Sequence, residues 1–378
     1  MKNKIVLVPP FGMTFEQTTT EWCGFFADGI ARNVAFLIER ELNKAGYEFV
    51  DQSYSGDDVC AVIHYSGISF EVLKKHPEWI HIYYMMEPDI IIPYNELGGL
   101  KRLSCLMDYC ISLYPDATDP ECGLIGTPGF TYNFDVAFAA PALSERQFLM
   151  TMTNSFLDID SRYELYSERR RITDWFAQNA PDQFRFWGSR VPEKYQNTKC
   201  YAGVAECKLS CMSQGKFGLC LENAMGKSGY ISEKLFDTMF SGCVPIYWGL
   251  ENITDYVPED CFIDYRKYRS PEALFRRISQ MSDEEIEGYR ERIRKWLASD
   301  AKDVFSYERF VEIVLDCIAS GKRAHPTARD YQWLHSQLSP NIALRFKRIY
   351  QAAGPMKTGK RIVRSAVRRI REKLKSAD

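Results

Sequence analysis

The sequence has no apolar run that approaches 18 residues, so it contains no candidate for a membrane-spanning helix. Its amino-terminal stretch MKNKIVLVPP has only a short apolar run that ends in prolines, which predicts a strand and not a secretory leader. A large excess of charge of one sign is also missing, because 48 Lys and Arg residues stand against 50 Asp and Glu residues. We expect a cytoplasmic protein, because a leader is missing, and no nucleic-acid partner, although the balanced charge by itself says nothing about nucleic acid.

Common signatures of metal binding and nucleotide binding are missing as well. The 12 cysteines are scattered and contain no CxxC pair, and there is no P-loop or GxGxxG. The five histidines lack the spacing of metal ligands, and His64 and His81 fall within apolar runs, where satisfied core histidines are the more common case. We expect no bound metal, no required cofactor and reduced cysteines.

The order of strand and helix signals predicts two α/β domains. In the first 140 residues, apolar runs of strand length alternate with amphipathic helical segments, and the same alternation returns after an Ala/Pro/Ser-rich linker at 138–147. Such alternation predicts parallel sheets covered on both faces, with ligands bound at the carboxyl ends of the strands. We expect domains at 1–140 and 145–320, a helical extension at 321–356 and a tail at 357–378.

The tail differs from the rest of the chain in charge. Residues 357–378 contain nine Lys and Arg residues against one Glu and one Asp, a net charge of +7, which leaves −9 for the remainder. Its apolar residues fall on one helical stripe with basic residues around it. This pattern is typical of an interfacial helix on an anionic membrane, and the alternative is a solvated basic tail.

A segment near the middle of the chain, YISEKLFDTMFSGCVPIYWG at 230–249, predicts a short helix followed by a buried strand. Ser232 is a suitable N-cap residue and Gly242 a suitable stop, while the apolar residues after Lys234 form one face. Glu233 and Lys234 then lie at the helix amino-terminus, whose N–H groups and partial positive charge attract anions. An ordinary solvated helix start is the alternative.

With its neighbours, this segment resembles the signature region of the α1,3/4-fucosyltransferases of glycosyltransferase family 10, bacterial type. The matching residues are Glu222, Asn223, Tyr230, Glu233, Lys234, Leu235, Gly242, Val244, Pro245 and Gly249. Ser232 stands where the family has threonine, and the loop between Asn223 and Tyr230 is one residue longer. The resemblance implies a GT-B-like fold, with two Rossmann-like domains facing a cleft and C-terminal helices. It assigns 1–140 to the acceptor and 145–320 to the nucleotide sugar.

The resemblance also implies roles for individual residues that bind the donor. Lys234 and an arginine neutralise the leaving diphosphate, and the run Arg169–Arg170–Arg171 supplies that arginine, with Arg169 preferred by its spacing to Phe176. Asn223 binds the phosphate region, Tyr230 the nucleoside, and Glu233 hydroxyl groups of the ribose or sugar.

The general base implied by the family is a glutamate after a strand of the first domain, followed by a proline. Glu87 in WIHIYYMMEPDIIIPYN fits this description, because Pro88 comes next. Strand capping is the alternative interpretation of Glu87. The pair Asp158 and Asp160 looks like the metal-binding DxD of another glycosyltransferase class, but its place in this chain favours a loop or helix start.

These observations predict an inverting transfer of L-fucose from GDP-fucose to a glycan hydroxyl. We expect an α1,3 linkage to an oligosaccharide or lipid-linked acceptor, such as GlcNAc of a surface polysaccharide or lipopolysaccharide precursor; protein glycosylation is a related use. A divalent cation could stimulate the reaction without being required. The expected location is the inner face of the cytoplasmic membrane, contacted through 357–378. The alternatives are another GDP-sugar as donor, a two-lobed sugar-binding protein without catalysis, and an inactive scaffold.

Overall fold

The computed structural model of the protein describes residues 2–10, 13–21, 33–129, 131–268 and 270–338. Within these ranges the strands are β1 (Lys4–Val8), β2 (Glu48–Asp51), β3 (Val59–Tyr65), β4 (Ile80–Tyr84), β5 (Tyr109–Ser112), β6 (Leu124–Gly126), β7 (Phe148–Thr153), β8 (Phe184–Trp187), β9 (Gly215–Leu221), β10 (Val244–Trp248) and β11 (Ile263–Asp264). The α-helices are α1 (Phe15–Thr19), α2 (Val34–Lys44), α3 (Phe70–Lys75), α4 (Leu97–Leu103), α5 (Tyr166–Asn179), α6 (Glu193–Gln196), α7 (Lys208–Met212), α8 (Glu233–Phe240), α9 (Pro271–Ser279), α10 (Asp283–Leu297) and α11 (Tyr307–Ser320).

The strands form two sheets, and every strand pair within them is parallel. The first sheet has the order β2-β1-β3-β4-β5-β6 and the second has the order β11-β10-β9-β7-β8. Strands such as β3 and β9 are buried along almost their whole length, which explains their continuous apolar sequences. The predicted pair of α/β sheets is confirmed.

The carboxyl ends of the strands in each sheet meet at one edge. In the second sheet the chain goes from β7 outward to β8 and then returns to β9 on the other side of β7. This reversal creates the crevice in which doubly wound sheets bind ligands. The residues after β9, which begin with Glu222 and Asn223, therefore lie where the topology favours a binding site.

Helix α8 and strand β10 follow the prediction made for 230–249. The Ser232 side chain caps α8, and Leu235, Phe236 and Met239 are buried on its inner face. Gly242 has a φ of +72°, a left-handed conformation that ends the helix and that other residues adopt at a cost. The chain can thus turn directly into β10, whose Pro245 is buried.

Helix α11 packs on the first sheet, although the sequence analysis assigns residues up to 320 to the second domain. Tyr307, Phe310 and Val314 belong to the same buried cluster as residues of β1, β3 and β4. The Tyr307 hydroxyl donates to Asp135 at 2.8 Å, and Arg40 of α2 donates to Tyr307 at 2.9 Å. The chain therefore returns to the first domain after it has built the second.

The chain divides into two units, Met1–His325 and Pro326–Asp378. Both sheets lie in the first unit, and the described part of the second contains a helix at 328–338. The predicted tail at 357–378 lies outside the described residues, as do residues 339–356 of the predicted helical extension. In the ranges that the structure describes, no helix combines the length and the apolarity needed to cross a bilayer.

Candidate active site

The amino-terminal turn of α8 brings Glu233 and Lys234 together with a buried carboxylate. Lys234 Nζ donates to Ser232 Oγ at 3.1 Å and lies 3.8 Å from a carboxylate oxygen of Glu233 and from one of Glu222. Ser232 Oγ also accepts the Lys234 backbone N–H at 3.4 Å. The lysine charge and the helix amino-terminus thus favour an anion at the same place.

Glu222 joins the end of β9 to the start of α8. Its fully buried carboxylate accepts the Ser232 backbone N–H at 2.7 Å and the Ser232 hydroxyl at 2.5 Å. Gly249 leaves room for it, because a Cβ there would lie 2.3 Å from Glu222 Cγ. Burial raises the pKa of Glu222 above its usual value, and the nearby Lys234 opposes this rise. Glu222 therefore positions the site by holding two elements together.

Asn223 is held by Arg169, the predicted arginine of α5. Arg169 is fully buried, and its guanidinium donates to Leu221 O at 2.6 Å, to Asn223 Oδ1 at 3.0 Å and to Ser155 O at 3.3 Å. Because Oδ1 of Asn223 faces the guanidinium, its Nδ2 points the other way. Arg169 therefore fixes the loop after β9, and a direct contact with a donor phosphate stays a prediction.

Glu87 follows β4 and reaches the second domain. The Asn223 Nδ2 donates to Glu87 Oε2 at 3.4 Å, and Asn95 donates to the Glu87 backbone carbonyl at 2.7 Å. Burial raises the pKa of the Glu87 carboxyl to about 7, with Glu233 adding to this effect and Lys234 and Asn223 opposing it. A carboxyl with such a pKa can accept a proton near neutral pH.

Two residues of this site were missed by the sequence analysis. Lys208 of α7 forms an ion pair with Asp237 and lies 3.5 Å from Glu233 Oε1. Although burial alone would raise the pKa of Glu233, the charges of Lys234 and Lys208 lower it to about 2. Asp237 could have been found, because it follows Glu233 by one helical turn and so shares its face. Lys208 had no such signal, because only the tertiary fold brings α7 to α8.

The loop at 224–229 connects the site residues Asn223 and Tyr230 and rests on the first domain. Lys227 forms an ion pair with Asp89 at 2.8 Å, and Ser228 donates to Asp116 at 2.6 Å. Gly229 O accepts the Gly129 backbone N–H at 2.7 Å. Asp89 lies two residues after Glu87, so this loop links the candidate base to the signature segment.

The remaining predicted residues lie around this centre. Tyr230 is buried, and burial raises its pKa well above the usual value. Arg170 donates to Leu157 O at 2.8 Å, and Arg171 pairs with Glu168 at 2.6 Å. Of the three adjacent arginines, only Arg169 touches another predicted site residue among the contacts that the described residues make.

Three other polar candidates remain, namely Asp158 and the histidine pair His64 and His81. The Asp158 side chain is 99% exposed and lies 3.9 Å from Arg170. His64 Nε2 and His81 Nδ1 are 3.1 Å apart in the core of the first domain, and His81 Nε2 also contacts His76 O. Across the described ranges, no group of three or more His, Cys, Asp or Glu side chains could hold a metal ion.

The two parallel α/β sheets, with polar residues gathered after β4 and β9, define a GT-B-like glycosyltransferase fold. Residues 158–312 match the family model described as Glycosyltransferase family 10 (fucosyltransferase) C-term. This part of the chain, which contains Arg169, Asn223 and Lys234, is similar to glycosyltransferase family 10. Glu87 lies outside the matched residues.

Individual proteins agree with this match over limited lengths. An alpha-(1,4)-fucosyltransferase of Arabidopsis thaliana is 40% identical over 75 residues, which cover 20% of this chain and 18% of that protein. An alpha-(1,3)-fucosyltransferase, FucT, of Helicobacter pylori is 42% identical over 69 residues, which cover 15% of this chain and 14% of that protein. The chain thus spans less than a fifth of the length of either curated relative.

Solved structures extend the similarity to most of the chain at the level of the fold. An alpha1,3-fucosyltransferase with GDP has a TM-score of 0.51 and 13% identity, and the match covers 86% of this chain and 93% of that one. The similarity at this low identity concerns the fold, so a choice of donor must come from the family match and the site.

Proposed function

We propose that this protein is an inverting fucosyltransferase that moves L-fucose from GDP-fucose to a hydroxyl group of a glycan. The observation that carries the proposal is the hydrogen bond between Asn223 and Glu87. It joins the family 10 signature to a carboxyl of the other domain whose pKa is about 7. The relatives named as fucosyltransferases and the match to the fucosyltransferase family model support fucose as the transferred sugar.

In the proposed reaction, Glu87 removes the proton from the acceptor hydroxyl while the oxygen of that hydroxyl attacks C1 of fucose. The bond between C1 and the phosphate oxygen breaks on the opposite face, which inverts the configuration, and GDP leaves with its electron pair. Burial raises the pKa of Glu87, so its ionised form is a stronger base than an exposed carboxylate. Its ionised fraction at neutral pH remains large enough to act.

The donor would bind at the amino-terminus of α8. Lys234 and the helix N–H groups neutralise the charge that develops on the diphosphate. Glu233 is ionised under all ordinary conditions, because its pKa is about 2, and it can only accept hydrogen bonds, as from hydroxyl groups of the ribose or fucose. Tyr230 would contact the nucleoside, and Arg169 would act mainly by holding Asn223.

The acceptor and the setting of the reaction are extensions of this proposal. We propose an α1,3 linkage to a glycan such as GlcNAc of a polysaccharide or lipid-linked precursor, with loops of the first domain near Glu87 forming the acceptor site. No divalent cation is required. The basic segment 357–378 brings the enzyme to an anionic membrane at its cytoplasmic face.

A donor screen tests the proposal. The purified protein is incubated with GDP-fucose, GDP-mannose or UDP-glucose and a mixture of oligosaccharide acceptors, and released GDP or UDP is measured. We expect release from GDP-fucose alone, and we expect GDP-fucose to raise the Tm far more than UDP-glucose does. Preference for GDP-mannose would establish the alternative of another GDP-sugar, and equal Tm shifts with UDP-glucose would remove the donor assignment.

A further inference from the structure

Lys208 reaches the candidate donor site from α7, an element outside the signature segment. Its Nζ forms an ion pair with Asp237 and lies 3.5 Å from Glu233 Oε1. Only 12% of the Lys208 side chain is exposed, which ties its position to these two carboxylates. Glu233 is 47% exposed, so a ligand can reach the carboxylate that Lys208 holds.

Asp237 has both of its oxygens engaged and fixes Lys208 in turn. Asp237 Oδ2 contacts Lys208, while Oδ1 accepts a hydrogen bond from the Tyr132 hydroxyl at 2.6 Å. Tyr132 itself is anchored through its backbone N–H, which donates to Phe305 O at 2.7 Å. Lys208 is thus held at one end of a chain of contacts, and its Nζ also lies near Glu233.

The position of Lys208 matters because Lys234 has two carboxylates close to it. Lys234 lies 3.8 Å from each of two carboxylates, those of Glu222 and Glu233. Without a second cation, Lys234 alone would face both, and less of its attraction would remain for a diphosphate. Lys208 supplies that second cation, because its Nζ approaches the same Glu233 oxygen, Oε1, that Lys234 approaches.

We propose that Lys208 is a positioning residue for the donor: it holds Glu233 in place for sugar hydroxyls and leaves Lys234 available to the diphosphate. This inference rests on the proposed function for its ligand but not for its geometry. Lys208 acts through Glu233 and does not itself contact the donor. The charges of Lys234 and Lys208 lower the pKa of Glu233. The charge of Glu233 in turn acts to raise the pKa values of five groups around it, Glu222, Glu87, Arg169, Tyr132 and Tyr230.

The first test uses Lys208→Met and Lys208→Arg in the full chain. We expect Lys208→Met to weaken GDP binding in calorimetry and to raise the KM for GDP-fucose, each by about 10- to 100-fold, the equivalent of one charge-assisted hydrogen bond. We expect a smaller change in kcat, because Glu87 is untouched. Lys208→Arg keeps the charge and should recover most of the affinity. A KM for Lys208→Met within twofold of the unsubstituted enzyme would overturn the inference.

A double variant separates this role from a purely structural one. Lys208→Met leaves Asp237 buried without its cation, so Lys208→Met combined with Asp237→Asn removes that imbalance. We expect the double variant to recover folding stability but not GDP affinity. If GDP affinity returns as well, Lys208 serves only to neutralise Asp237 and the inference fails.

A titration of the ligand-free protein keeps the inference apart from the proposed function. The Glu233 carboxyl is followed by ¹³C NMR in protein labelled at glutamate, with Glu233→Gln for assignment. In Lys208→Met we expect the pKa of Glu233 to rise from about 2 toward its usual range. An unchanged pKa overturns the inference whatever the donor, while absence of GDP binding by the unsubstituted protein, with the pKa shift present, would overturn only the proposed function.

Discussion

At the scale of single residues, the site depends on how Glu87 is balanced between burial and nearby charge. Burial raises its pKa, and Glu233 adds to the rise, while Lys234 and Asn223 favour the ionised form. The result is a pKa of about 7, which places the loss of the proton in the neutral range. The activity should therefore decrease as the pH falls below the neutral range, because Glu87 becomes protonated.

We expect kcat/KM to fall as the pH decreases below 7, by about tenfold for each pH unit, because a protonated Glu87 cannot accept the acceptor proton. Glu87→Gln should lower kcat by at least about 100-fold at every pH and abolish this acidic limb, since no proton acceptor remains. Binding of GDP, measured by calorimetry, should stay within a few-fold of the original value. Near-normal turnover of Glu87→Gln would locate the base elsewhere.

Arg169 is important for stability as well as for the site. It is fully buried and donates to three oxygen atoms of the second domain, at 2.6, 3.0 and 3.3 Å. Arg169→Met removes all three hydrogen bonds and should lower the free energy of unfolding by about 2–4 kcal/mol. Arg171→Met, two residues away, removes an ion pair whose arginine is 48% exposed, and should cost about 0–1 kcal/mol. Denaturant unfolding of both variants measures the difference, and equal losses would contradict this account.

The residues of the site could be predicted from sequence only where they belong to the signature. Asn223, Glu233 and Lys234 follow one another closely in the chain, and their proximity follows from one strand and one helix. Lys208 contacts Glu233 across 25 positions of sequence. No local pattern encodes such a contact, because it depends on the packing of α7 against α8.

At the scale of elements, the loop at 224–229 joins Asn223 and Tyr230, which are predicted to bind the sugar donor, to the first domain. It contacts Asp89 and Asp116 of the first domain through Lys227 and Ser228. A shift of this loop would therefore move both the candidate base and the residues that flank the loop. Two glycines of the loop provide a matched pair for testing this.

Gly226 and Gly229 have φ values of +66° and +71°, so alanine at either position meets similar backbone strain, about 1–2 kcal/mol. A Cβ at Gly229 would lie 2.2 Å from Leu113 O, whereas one at Gly226 would lie 3.7 Å from Glu251 Oε1. We expect Gly229→Ala to push the loop off the first domain and to lower kcat/KM by at least tenfold more than Gly226→Ala does. Steady-state kinetics measure this, and equal kinetics in the two variants would show that contact between loop and domain is dispensable.

The helices illustrate which elements a sequence can and cannot define. The capping residue Ser232 and the stop at Gly242 are local signals, and both hold in the structure. The region 271–320 forms α9, α10 and α11 with a short 3₁₀ segment at Asp300–Phe305. Which sheet each helix covers depends on long-range contacts, so the return of α11 to the first sheet had no counterpart in its amphipathic pattern.

At the scale of the whole molecule, charge is distributed unevenly along the chain. Residues 357–378 carry +7, while the other residues carry −9. We expect deletion of 357–378 to abolish sedimentation with vesicles that contain anionic lipid and to leave transfer to a soluble acceptor within twofold, because all described site residues lie earlier in the chain. Vesicles of neutral lipid serve as the control, and undiminished binding of the deleted protein to anionic vesicles would refute the membrane role of this segment.

The position of α11 also constrains how the polypeptide can mature. During synthesis, the strands of the first sheet leave the ribosome long before Tyr307–Ser320, the helix that covers part of their apolar surface. Apolar surface of the nascent amino-terminal half therefore stays exposed until nearly the whole second half has been translated. Chaperones have a natural role during this delay. For the same reason, an expression fragment that stops at residue 140 would lack part of its hydrophobic core. A stable fragment of the first domain would have to include α11, fused to its carboxyl end.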